Sequence, residues 1–96
     1  MPYRLSALAE QDLDEIWLYV ANEANPATAD RLIDAIVDRF ALLVEQAAIG
    51  RSRPEFGVGV RSFVVESYVI YYRHDEGILI ARVLHGHRDQ AAAWTP

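Results

Sequence analysis

Val60-Arg-Ser-Phe-Val-Val-Glu66, Tyr68-Val-Ile-Tyr-Tyr-Arg73 and Ile78-Leu-Ile-Ala-Arg-Val-Leu-His85 follow one another closely, with turn residues at Ser67 and at Asp75-Glu76-Gly77. Each run is dense in β-branched and aromatic side chains, which fit a pleated, half-buried surface. Connections this short leave room only for hairpins, so the three runs predict an antiparallel meander. The last run is apolar on both faces in its first half, as expected of a central strand covered on one side.

The cover lies upstream. Residues 2–5 read as a short strand ending at Ser6, a residue that accepts a hydrogen bond from the free amides of a first helical turn. Ala9, Leu13, Ile16, Trp17 and Val20 then recur at helical spacing, with Glu10, Gln11, Asp14 and Glu15 on the other side, predicting a helix over about 6–23. Asn25-Pro26 ends it and restarts the chain, because proline disfavours helix in the residue before it but suits the first position of a new one. Ala29, Leu32, Ile33, Ile36, Val37, Phe40, Leu43 and Val44 form a broad stripe for a second helix, with Gly50 as its expected stop. Residues 51–59, with two glycines and a proline, read as a loop. The order strand, helix, helix, strand, strand, strand predicts an α+β domain over residues 1–96, with a helical hairpin packed on one face of an antiparallel sheet.

Composition narrows the function. Ninety-six residues allow one small core, and the absence of cysteine removes disulfides and thiolate metal sites. The start, Met1-Pro2-Tyr3-Arg4, runs straight into patterned sequence, and no apolar stretch approaches the roughly 20 residues of a bilayer span, so a cytoplasmic protein is expected. The net charge is −5; residues 1–48 carry three Arg against nine acids (−6), and 49–96 carry six Arg against five (+1). An acidic chain lacks the broad cationic field of a non-specific nucleic-acid binder, which favours a protein partner and no direct sequence-specific nucleic-acid contact.

Arg82-Val83-Leu84-His85-Gly86-His87-Arg88-Asp89 concentrates polar groups where the last strand ends. His85, His87 and Asp89 share one direction if strand alternation persists, a spacing that metals use, but a tight zinc site needs three or four protein ligands, so neither metal nor cofactor is expected. A metal-free ribonuclease needs a base, an acid and cations, which His85, His87, Arg82 and Arg88 supply in kind; no spacing here is specific to that chemistry. No phosphate loop, dinucleotide fingerprint or nucleophile elbow occurs. Tyr68, Tyr71 and Tyr72 suggest a stacking platform, yet neighbouring strand residues face opposite ways, so Tyr71 and Tyr72 cannot share one. Arg61, Arg73 and Arg82 are the expected cationic strip of the uncovered sheet face. Trp17 and Phe40 are expected in the core.

Several strings together carry a resemblance: Tyr3-x-Leu5-Ser6, Ala9-x-x-Asp12-Leu13-x-x-Ile16-x-x-Tyr19, Gly50-Arg51, Gly59-Val60-Arg61-Ser62-Phe63, Tyr68-x-Ile70-x-Tyr72 and Arg82-Val83-Leu84-His85-Gly86-x-Arg88-Asp89. Across residues 3–89 the sequence resembles the ParE family of the ParE/RelE toxin–antitoxin superfamily. The resemblance implies a growth-arresting toxin, associated with plasmid stabilisation, that inhibits DNA gyrase and is neutralised by a ParD-like antitoxin. RelE-like relatives share the fold and cut mRNA on the ribosome with a strongly basic face, so the acidity of this chain favours the ParE branch and binding over catalysis. The expected target- or antitoxin-binding edge is Arg61, Tyr72, Arg82, His85, Arg88 and Asp89. The alternative, a ribosome-dependent endonuclease, uses His85, His87 and Arg88; a third reading is a module that still binds antitoxin after its toxicity has decayed.

Overall fold

A computed structural model describes residues 2–86. In chain order it contains β1 (Tyr3–Leu5), α1 (Ala7–Glu23), α2 (Pro26–Glu45), β2 (Arg51–Ser52), a 3-10 turn (Pro54–Phe56), β3 (Val60–Val65), β4 (Tyr68–His74) and β5 (Ile78–His85). The sheet order is β1-β5-β4-β3-β2. Strand, helical hairpin and three-strand meander all form as the patterning predicts. The meander is antiparallel throughout, whereas β1 pairs parallel with β5, Tyr3 opposite Ile78 and Leu5 opposite Ile80. Among the described residues no helix is long and apolar enough to cross a membrane.

Local signals explain the hairpin. The Ser6 hydroxyl accepts the Ala9 amide at 3.0 Å, and Asn25 Oδ1 accepts that of Thr28 at 2.8 Å, each satisfying one of the orphan donors of a helix start. Pro26 occupies the first turn of α2, where its missing N–H is harmless. Ile16, Leu32, Ile36, Phe40 and Leu43 of the helices pack with Val65, Tyr68, Ile70, Tyr72, Ile78, Ile80 and Val83 of the sheet. Phe40 is fully buried, with Tyr3 edge-on at 5.3 Å. Trp17 is only half-buried, because its indole N–H reaches out to donate to Asp30 at 2.8 Å.

Two boundary expectations are corrected. The second helix stops at Glu45, five residues before Gly50, with Gln46 as its cap. Gly50 answers a different constraint: a Cβ there would meet the Tyr72 hydroxyl, and would lie 2.7 Å from Tyr72 Cε1 and 2.9 Å from the Ser62 carbonyl oxygen. Residues 51–59 are not all loop. Arg51 and Ser52 pair with Ser62 and Arg61, the Arg53 amide donates to Val60 at 2.8 Å, and Pro54 opens the 3-10 turn. That turn sets Phe56 edge-on against Tyr71 at 5.1 Å, and Val60, Val69 and Leu84 complete a small apolar cluster on the second sheet face.

A bulge adjusts β5. Tyr71 lies opposite Arg82 but Tyr72 lies opposite Ile80, leaving Ala81 as the extra residue. Its carbonyl accepts the Ser6 hydroxyl at 2.7 Å. The shift lets Ile78, Ile80 and then Val83 enter the helix-side core, where strict alternation would have sent Arg82.

Candidate interaction surface

The expected cationic strip does not exist. Arg61 lies opposite Tyr72 and Arg73 opposite Val60, so the period of two puts them on different faces of the sheet. Arg82 is withdrawn from the surface at the β5 edge. There β1 ends opposite Ile80, the Ser6 amide donates to the Ile80 carbonyl at 3.0 Å, and Asp12 takes over from the strand. One Asp12 oxygen accepts the Val83 amide at 3.0 Å and Arg82 Nε at 2.8 Å; the other accepts an Arg82 terminal nitrogen at 2.9 Å. With side-chain exposures of 5% for Asp12 and 11% for Arg82, this is a buried, two-pronged ion pair that stitches α1 to the sheet.

Arg61 and Tyr72 are also occupied inside the fold. Arg61 donates to the Gly50 carbonyl at 2.8 Å and more loosely to that of Ala48 at 3.4 Å. The buried Tyr72 hydroxyl accepts the Gly50 amide at 2.9 Å and donates to the Ala47 carbonyl at 2.8 Å. Burial pushes the Tyr72 phenol above its usual pKa of 10.0, against the smaller lowering effects of the Gly50 hydrogen bond and the Arg61 charge. Together these contacts fasten the chain between α2 and β2.

His85 lies at the end of the sheet carrying the β3–β4 turn, edge-on to Tyr68 with ring centroids 5.4 Å apart. His74 lies at the opposite end, paired with Ile78. His87, Arg88 and Asp89 lie outside the described residues. Among the described residues no group of three potential metal ligands gathers.

The turn at Glu66-Ser67 divides two grooves. Ser67 is held by its carbonyl, which accepts the Gly86 amide at 2.8 Å, and Glu66 adopts a positive φ of 54°. On one side a groove of about 300 Å³ is lined by Tyr19, Thr28, Arg31, Glu66, Tyr68 and His85, with Arg31 and Glu66 3.8 Å apart. On the other a groove of about 360 Å³ is bordered by Arg51, Arg53, Ser62, Val64, Val69 and Glu66. Arg51 is exposed and has no ion-pair partner among the described residues, while Arg53 lies 3.7 Å from Glu55 and 5.6 Å over the Phe56 ring. Val64 is 66% exposed.

Asp12, Arg31, Arg51, Arg53 and Glu66 were not among the residues expected at this surface. Asp12 carries a signal of its own, since it occurs three residues after Ala9 and four before Ile16, on the buried stripe of α1. A lone carboxylate on such a stripe calls for a buried partner. The others become visible only when the turn brings β2, β3 and α2 to one end.

Residues 3–90 match the family profile described as ParE toxin of type II toxin-antitoxin system, parDE. The chain belongs to the ParE toxin family. Toxin ParE1 of Caulobacter vibrioides is 31% identical over 84 residues, spanning 88% of this chain and 88% of that protein. Toxin RelE3 of the same organism is 33% identical over 86 residues, spanning 84% of this chain and 89% of its own length. Among solved structures, a chain of the chromosomal ParDE TA system from P. aeruginosa superposes with a TM-score of 0.76 at 26% identity, covering 88% of this chain and 95% of that one. The ParE fold thus accounts for the described strand-hairpin-meander architecture, and both grooves lie within the matched span.

Proposed function

We propose that this ParE-family chain acts in the cytoplasm as a single-domain toxin that inhibits DNA gyrase by binding, without a cofactor, and is neutralised by direct contact with a cognate ParD-like antitoxin. The observation that carries the binding reading is the fate of Arg82. A phosphate-cleaving site needs a cation facing the scissile group, and this arginine is instead neutralised by Asp12 behind the sheet edge. Residues 7–45 carry nine acids against two arginines, a field that repels a polyanion and leaves a protein as the favoured partner.

One observation favours a second reading, a ribosome-dependent endonuclease: the smaller groove gathers His85, Glu66, Arg31 and Tyr19, an acid, a base and a cation around one space. A supercoiling assay with purified gyrase decides between them. Inhibition at near-stoichiometric toxin, undone by the antitoxin, together with filamentation on induced expression, supports the binding reading. Undisturbed supercoiling with rapid translation arrest and cleaved mRNA, abolished by His85→Ala, transfers the function to the endonuclease reading.

A further inference from the structure

The larger groove lies on the side of the sheet turned away from the acidic hairpin. Val60 and Tyr71 belong to the small cluster on that face, so by the period of two Ser62 and Val64 share it, and Arg51, opposite Ser62, does too. Arg53 follows two residues on and lies over the Phe56 ring on the same face. Two residues of strand set the Arg51 and Arg53 backbones roughly 7 Å apart, a span across which two long guanidinium arms can converge on one small anion. Ser62 and Ser67 bring hydroxyls to the groove, and Val64 and Val69 form an apolar wall. The acids nearby are engaged, Glu55 lying 3.7 Å from Arg53 and Glu66 3.8 Å from Arg31. Three arginines against two glutamates leave one positive charge over, and Arg51 has no ion-pair partner among the described residues. Arg53 adds an unmet demand: its Nε is buried with no hydrogen-bond partner among the described residues, which makes an oxyanion a favourable neighbour.

We propose that this groove binds a phosphate group, carried by a nucleotide chain or by a free nucleotide. Planar guanidinium forks match phosphate oxygens in pairs. A tetrahedral anion also offers acceptors in more than one plane, to Arg51, Arg53 and the serine hydroxyls at once, and the wall of Val64 and Val69 receives the sugar beside it. A carboxylate has only two coplanar oxygens, so an acidic peptide satisfies fewer of these donors. A phosphate contact positions a chain without reading its sequence. One such seat, with the sheet between it and the hairpin, is compatible with a helical layer that repels extended polyanions. The inference goes beyond the gyrase reading and does not depend on it.

The probe is a single-stranded oligothymidylate about four nucleotides long, titrated into the full isotope-labelled chain at low salt and followed by amide resonances. Shifts are expected at Arg51, Arg53, Val64 and Ser67, with log K falling against log salt at a slope of about −0.7 for one engaged phosphate. Arg51→Gln is expected to weaken binding about tenfold, the loss of one charge-assisted donor group. Arg39→Gln, at an exposed position of α2, is expected to leave it unchanged. A variant spectrum unchanged away from β2 and β3 excludes misfolding. Thymidine 5′-monophosphate separates the two sources: equal affinity assigns the groove to a free nucleotide, and tighter binding of the oligomer assigns it to a chain. Methylphosphonate linkages, which keep the shape of the oligomer and remove its charge, are expected to abolish the shifts. Equal binding of the methylphosphonate, equal binding of a peptide of alternating Val and Asp, or shifts confined to the surroundings of Arg4, Arg39 and Arg73 would overturn the phosphate site. No gyrase enters the titration, so its failure leaves the supercoiling result standing, and undisturbed supercoiling leaves the titration to decide the groove.

Discussion

Arg82 and Arg51 belong to the same five-stranded sheet yet meet opposite fates. On the β5 side, Asp12 arrives from α1 at the point where β1 runs out, and the arginine becomes part of the internal structure. On the β2 side, no acid of the helical hairpin reaches the sheet edge, and Arg51 stays exposed beside an apolar groove. The chemical type is identical; what differs is whether a helix brings a carboxylate to the strand. Counting arginines therefore overstates the charged surface of this protein, and the useful quantity is the number left over after the buried acids are matched.

The contrast is open to direct attack. The largest effect is expected from Asp12→Ala, which leaves the Arg82 charge buried alone and the Val83 amide unpaired; a loss of about 3–5 kcal/mol in urea unfolding is expected. Replacing the pair together, Asp12→Leu with Arg82→Met, should recover most of it, because an apolar pair of similar size avoids both desolvation costs. A double variant as unstable as the single one would show that the ion pair is not the source of the loss.

Tyr72→Phe tests the fastening on the other side and should cost about 1–3 kcal/mol, since it strands the buried Gly50 amide. It also has a pH signature. Because the folded-state phenol titrates above the ordinary value of 10.0, its contribution is fully present below pH 10 and falls as pH rises from there toward the folded-state pKa. The gap between wild type and Tyr72→Phe should therefore narrow in alkaline unfolding curves above pH 10; a constant gap would break the assignment. Gly50→Ala should cost about 1–3 kcal/mol from the crowding against Tyr72 and Ser62, measured by the unfolding midpoint. The smallest effect belongs to the exposed edge: Arg51→Glu should move stability by no more than about 0.5 kcal/mol while weakening binding to an anionic partner.

The helical periodicities of 9–20 and 29–44 and the β-rich runs after Gly59 made the hairpin and the meander legible before any coordinates. The short β2 was hidden, because Arg51-Ser52 has no pattern of its own and becomes a strand only through its partners Ser62 and Arg61. The candidate surface was read less well. His85 falls at the expected strand end, but the polar atoms of Tyr72 and Arg82 are engaged by Gly50 with Ala47 and by Asp12, partners that lie far along the chain and that no local pattern reveals.

By itself the sequence determined the elements, their order and the apolar stripes that must meet, because hydrophobic periodicity and capping act within a few residues of chain. Which strand lies parallel to β1, which arginine is neutralised and which stays exposed were decided by the tertiary structure. Those outcomes depend on residues 70 positions apart, such as Asp12 and Arg82, meeting at one point in space.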